Sequence, residues 1–333
     1  MRPTFEIEID GQAPSEELAR RLLRLRVSEE TGERSGSLEL KLSNHGPAIE
    51  PPPTGVEALV RLGFEGAPLH PAGVYIIEGV DLAGPPDTVT IHGTATNFAT
   101  SDTAGGIKQS MRSQKTRSWG QTTLGDIVRT IAGDQGLSPV VGGDLDGLAI
   151  QHLDQVDQSD MDLLTELGRR FDAVAKTMAG KLVFIPRGQG TKADGSSLPL
   201  VEIPVEEIKG WKMRKTGKNE YGTVVAHWND TEAGERKEVR AGEGEPVKTL
   251  RHPFPTEAEA QRAAEGELAK QRRQAQEMSL NLPGRPDLFV EQPLQLAGGP
   301  PGTEGEWIVS KAEHTLEGQG LKTSLSAGPK VVG

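Results

Sequence analysis

Phe5, Ile7 and Ile9 alternate with Glu6, Glu8 and Asp10 at the start of the chain. Leu23, Leu25 and Val27 do the same against Arg24, Arg26 and Ser28, and Leu38, Leu40 and Leu42 against Glu39, Lys41 and Ser43. A period of two predicts strands with one buried and one wet face. The polar, glycine-bearing EETGERSG between the last two predicts a long hairpin. ALVRLGF (58–64), VYIIEGV (74–80) and DTVTIHG (87–93) add further strands, separated by the prolines at 51–53 and 85–86. Six or so antiparallel strands with little helix predict a small barrel or sandwich. A one-residue slip would turn every apolar side chain outward, so the register is well specified.

The period changes in the middle. Leu124, Ile127, Val128 and Ile131 fall at helical spacing after Thr122, with Gly136 placed to end the helix. A second helix starts at Ser159, with Asp162 three residues on and Leu163, Leu164, Leu167 and Phe171 as its apolar positions. AKTMAGKLVFIP predicts a hairpin turning at Ala179–Gly180, so 104–190 forms an α/β unit, followed by the polar link RGQGTKADGSS (187–197).

Strands return in the last third, around 208–213, 223–228, 278–283, 293–298, 306–314 and 320–328. One helix interrupts them: Thr256 follows Pro255 as its cap, Glu259 reaches back, and Lys270, Arg272 and Arg273 suit the dipole at its end near Gln276. The first and last thirds share a strand-rich character without a detectable sequence repeat. The fold class is therefore α+β, mainly β.

Composition narrows the function. A length of 333 residues suggests two or three domains. There is no cysteine, which excludes disulfides, thiolate metal sites and a cysteine nucleophile. No apolar run approaches the ~20 residues of a membrane span, and MRPTFEIEID alternates like a strand where a signal peptide would be apolar. A soluble protein made in the cytoplasm is the reading, with no membrane insertion. The net charge of -11 argues against a surface that binds nucleic acid throughout.

Catalytic constellations are not found. The seven histidines are scattered without paired helical spacing, and no GxSxG elbow occurs. GGDLDGL (142–148) lacks the remaining ligands of a calcium loop and reads as a turn. DQVDQSDMD (154–162), the densest acidic run, is explained as a loop plus a helix start. Paired carboxylates of a peptidoglycan hydrolase occur in no distinctive context, so a cell-wall-degrading component stays as the alternative function. The residues name no catalytic group, cofactor or metal site.

One run stands out in this acidic chain: GGIKQSMRSQKTRSWGQTTLGDI carries Lys108, Arg112, Lys115 and Arg117. It has no second glycine and lysine for a phosphate loop and no stacking aromatic beyond Trp119. A salt-sensitive DNA-binding arm is the rival reading. The favoured one is a connector whose four cations make an inter-domain or subunit contact, meeting an acidic surface in this chain or a neighbour.

FEIEIDG, GIKQSMRSQKTRSWGQTTLGDIVRTIAGDQGL, DQSDMDLLTELGRRFDAVAKTMAGKLVFIP and FPTEAEAQRAAEGELAKQRRQAQEMSLNLPGRPDL carry a resemblance to the late control D proteins of contractile-tailed phages. It covers essentially the whole chain, most specifically in the middle. These proteins are baseplate hubs, similar to the T-even phage hub and to the N-terminal part of VgrG. The resemblance implies two tube-like antiparallel β-barrel domains, at 1–103 and 199–333, with an inserted small α/β domain at 104–198. The second barrel carries the helix 256–276 and exchanges strands across 199–240. It further implies a non-enzymatic homotrimer that adapts a sixfold tail tube to a threefold spike. Implied partners are the trimeric tail spike, the tail tube or tube initiator, baseplate wedge proteins and the tape measure protein. DNA would pass through without specific binding, past a trimer carrying three times -11. The implied location is the virion baseplate, assembled in the host cytoplasm.

Overall fold

The alternation at the start of the chain becomes six antiparallel-paired strands in the computed structural model. It describes residues 2–13, 19–31, 36–46, 49–96, 109–178, 180–192, 196–217, 221–230, 233–318 and 320–330. Strands β1 (Pro3–Ile9), β2 (Leu22–Glu30), β3 (Ser37–Ser43), β4 (Glu57–Phe64), β5 (His70–Ala83) and β6 (Thr88–Ala95) follow in order. Leu25, Val27, Leu38, Leu40 and Leu42 are buried, and β2 pairs antiparallel with β3. Leu23 departs from its expected place: the register shifts between Leu22 and Arg24, leaving Leu23 42% exposed. An irregularity that changes the residue count on one strand reverses the faces beyond it. Tyr75 is buried among these strands and donates its hydroxyl to the carbonyl oxygens of Ala72 at 2.8 Å and Ser28 at 3.2 Å.

The basic run that reads as a connector is largely a strand, β7 (Gln114–Thr123). Helix α1 (Leu124–Gln135) follows at once, with Thr123 accepting from the Asp126 amide and Gly136 closing the helix at a φ of 73°. β8 (Ser138–Val141) leads to β9 (Ala149–Ser159), which pairs antiparallel with β7. The acidic run read as a loop therefore lies mostly in β9, where Asp154 faces Ser118 on the wet side of the ladder and the exposed Asp157 sits at its register shift with a φ of 48°. Ser159 then caps α2 (Asp160–Arg170) by accepting from the Asp162 amide. β10 (Ala173–Met178) and β11 (Lys181–Pro186) make the expected hairpin, with Gly180 at positive φ; Ala179 lies outside the described residues.

The last third runs through β12 (Val201–Pro204), β13 (Gly210–Lys215), β14 (Thr223–Asp230), β15 (Glu235–Gly242) and β16 (Val247–Thr249). β15 was illegible because ERKEVRAG buries only Val239 and Ala241. Helix α3 (Glu257–Ala275) starts at its Thr256 cap and passes directly into β17 (Gln276–Pro283). β18 (Pro293–Ala297), β19 (Trp307–Glu317) and β20 (Gly320–Pro329) complete the order. The fold is α+β and mainly β.

The strand-rich ends join in one twelve-stranded sheet, ordered β1-β4-β5-β6-β3-β2-β19-β20-β17-β13, with β18 pairing β12 and β19. β19 changes neighbour along its length: Trp307 and Ile308 pair with β18, and Lys311 to Glu317 with β2. Two apolar cores result. One gathers Ile7, Leu25, Leu40, Val60, Tyr75 and Ile91 with Leu316 and Leu321. The other gathers Ile203, Met278, Leu280, Leu294, Trp307, Val309 and Leu325. A third, smaller cluster packs Val224, Ala226 and Val239 against Ala260, Ala264 and Leu268 of α3.

Chain contacts divide the molecule into two compact units. The first holds 1–106, 200–213 and 278–327; the second holds 107–199, 214–277 and 328–333. Helix α3 thus belongs to the second unit, and the stretch 199–333 contributes to both.

Candidate functional site

The cations singled out in the sequence have distinct fates. Lys108 lies outside the described residues. Arg112 is exposed on a short 3-10 turn, Gln109–Arg112. Lys115, Arg117 and Trp119 share one half-buried face of β7, as a period of two requires. Both cations there meet Asp160, which is fully buried in the first turn of α2. Lys115 Nζ donates to its Oδ2 at 2.6 Å, and Arg117 donates to Oδ1. Gln155, also fully buried, donates to the same Oδ1 at 3.0 Å. Arg117 additionally reaches Asp134 at 2.9 Å and lies 4.8 Å from the Trp119 ring centre.

A buried carboxylate is stable only with its lone pairs filled and its charge matched. Asp160 meets both demands, and the N-terminus of α2 adds the positive end of its dipole. The arrangement ties strand β7 to helix α2 through charge. The alternation Lys115-Thr-Arg117-Ser-Trp119 was the available signal for the strand, and Asp160 was hidden among the seven residues of DQVDQSD.

Sequence reasoning missed two similar ties in the same unit. Glu259, buried in the first turn of α3, accepts from Arg170 at 2.5 Å. Burial pushes its carboxyl above the ordinary range, opposed by Arg170 and by the capping hydroxyl of Thr256. Arg170 also lies 5.1 Å from the ring centre of Phe254. Asp172 pairs with Arg273 at the far end of α3. Gly266 permits the approach of α3 here, since a Cβ there would sit 3.0 Å from Cβ of Asp172 and 3.4 Å from the Phe171 carbonyl.

In the first unit the distinctive polar group is His314 on β19. Its Nε2 lies 3.2 Å from the Leu288 carbonyl oxygen and its Nδ1 lies 3.0 Å from the Thr323 hydroxyl. Burial pushes the imidazole down to about 4. A neutral ring donating to the carbonyl and accepting from the hydroxyl satisfies both nitrogens. Among the described residues no group of three or more His, Asp or Glu side chains could hold a metal ion, and no helix is long and apolar enough to cross a membrane.

These charged groups hold elements together, and the fold is what remains to define the class. It is that of phage and prophage tail proteins. A 43 kDa tail protein from prophage MuSo2 of Shewanella oneidensis shares it at a TM-score of 0.69 and 13% identity, over 98% of each chain. A type VI secretion component of E. coli, itself similar to T4 tail proteins gp27 and gp5, shares it at 0.56 and 11%, over 98% of this chain and 77% of that one.

The chain belongs to the phage tail baseplate hub family (GPD), whose model matches residues 109–320. A probable baseplate hub protein of Escherichia phage P2 is 27% identical over 98% of this chain and 92% of its own. The protein is a structural baseplate hub of the contractile-tail type, and its fold is shared, at a TM-score of 0.56 and 10% identity, by a chain of the Francisella PdpA-VgrG complex.

Proposed function

We propose that the hub works as a homotrimer converting sixfold into threefold symmetry. Each protomer would supply two tube-like β-barrel domains, one from 1–103 and one from the strands within 199–333, and three protomers would present six similar faces. The observation that carries this reading is the pair of apolar cores held on one sheet by the β2–β19 ladder. Two cores sharing a sheet are what a duplicated tube segment requires, because each barrel wall buries one face of its own strands.

On this reading the sixfold face takes the tail tube or its initiator, and the threefold face takes the trimeric spike. Wedge proteins and the tape measure protein are the further partners. Assembly in the host cytoplasm precedes incorporation into the virion. Arg112, exposed and near the start of the second unit, is the member of the basic run we assign to a subunit contact. Catalysis has no part in this role.

Native mass spectrometry of the purified full chain tests the proposal, with a trimer expected, alone or with the spike protein added. A monomer under both conditions would sink it. Turbidity clearing of a peptidoglycan suspension would overturn the non-enzymatic half.

A further inference from the structure

The second unit holds a cleft of about 240 Å³ where the end of α2, the segment 250–254 and one face of α3 come together. Its wall carries four cations, Arg169, Arg170, Arg251 and Lys270, and two acids, Asp172 and Glu267. Both acids are matched by cations that do not line the cleft. Asp172 is held by Arg273, and Glu267 accepts from Lys248 at 2.5 Å and from Gln271 at 2.6 Å. Those hydrogen bonds hold the Glu267 carboxyl below its usual value despite the burial that opposes them. Arg170 is engaged by Glu259. Lys270 acts on Glu267 through its charge, and Arg169 and Arg251 are both exposed, so cations outnumber acids in this cleft of a chain of net charge -11.

Apart from His252 the rest of the lining is apolar, chiefly Leu250, Phe254 and Ala263. The face of Phe254 is already covered by the Arg170 guanidinium. Stacking of a nucleic-acid base on that ring is therefore obstructed, whereas an aliphatic side chain needs only the small-residue surface of α3. A phosphate or an isolated carboxylate would use the arginines and leave the apolar wall wet.

We infer that this cleft docks an acidic peptide segment of a partner protein, with an aliphatic side chain set against α3 and flanking carboxylates on Arg169 and Arg251. Charge complementarity would steer the encounter, and the apolar contact would supply the holding energy. The inference does not depend on the symmetry of the hub.

A short fluorescein-labelled peptide of Asp and Glu around one central Leu is the probe, read by fluorescence anisotropy on the full-length protein. Saturable binding is expected, weakened at least ~10-fold by Arg169→Glu with Arg251→Glu and similarly by replacing the Leu with Ser. The milder Arg169→Ala with Arg251→Ala pair, with circular dichroism on each variant, keeps a folding defect from passing as lost binding. Absence of saturable binding overturns the proposal, as does binding indifferent to both changes. A single-stranded oligonucleotide of equal charge that binds more tightly would assign the cleft to nucleic acid instead. Self-association abolished by the charge reversal would place a second copy there, which also overturns it.

Discussion

Val27 and His314 face each other across β2 and β19, at the ladder where the two ends of the chain meet. On the same strand as His314, Leu316 joins the first apolar core while Trp307 and Val309 join the second. The neighbouring Arg26 donates to Glu313 at 2.9 Å. Every contact in this ladder closes most of the chain into a loop, so it costs entropy that burial must offset.

His314 makes that junction acid-sensitive. Its folded-state value of about 4 lies below the ordinary value of 6.5, so the unfolded chain binds this proton at higher pH than the folded one. The stability it contributes is complete above about pH 6.5 and is lost as pH falls toward 4, a total of about 3 kcal/mol. Urea unfolding at a series of pH values should show a steeper acid decline for the native sequence than for His314→Gln. Parallel curves would contradict the assignment.

Asp160→Ala should destabilise by about 3 kcal/mol, because Lys115 and Arg117 lose the buried carboxylate that neutralises them. Combining it with Lys115→Met and Arg117→Met should recover much of the loss. Denaturant midpoints of the single and triple variants check the coupling; additive effects would show that the groups act independently.

Gly266→Val should cost about 2 kcal/mol or more by forcing α3 off Phe171 and Asp172. Thermal unfolding measures it. An unchanged midpoint would mean the helix shifts freely.

The helix caps are smaller and separable effects. Ser159→Ala and Thr256→Ala should each lower stability by about 1 kcal/mol, since each hydroxyl accepts from an otherwise unsatisfied amide. Glycine in their place should cost only a few tenths of a kcal/mol. Guanidinium titrations distinguish the two substitutions.

Local chemistry explains which elements were legible. The caps at Ser159 and Thr256, the stop at Gly136 and the alternation of Leu38, Leu40 and Leu42 are interactions between residues close in sequence, so pattern reveals them. β7, β9 and β15 escaped because their exposed faces dominate their composition. The basic run therefore read as a connector and the acidic run as a loop. In the fold the two oppose each other as a ladder, with Arg117 across from Gln155. Leu23 obeyed the alternation and still turned outward, because the register shift beside it is set by pairing with β3.

By itself the sequence determined where helices begin and end, the apolar face of the strands that alternate cleanly, and the family to which the chain belongs. Tertiary structure alone decided that β2 pairs with β19, that Asp160, Glu259 and Asp172 each meet a distant arginine, and that 214–277 packs with 107–199. The reason is physical: caps and periodicity are short-range terms written into neighbouring residues. Pairing of buried charges and of distant strands is chosen by which closure of the whole chain leaves the fewest polar groups unmatched.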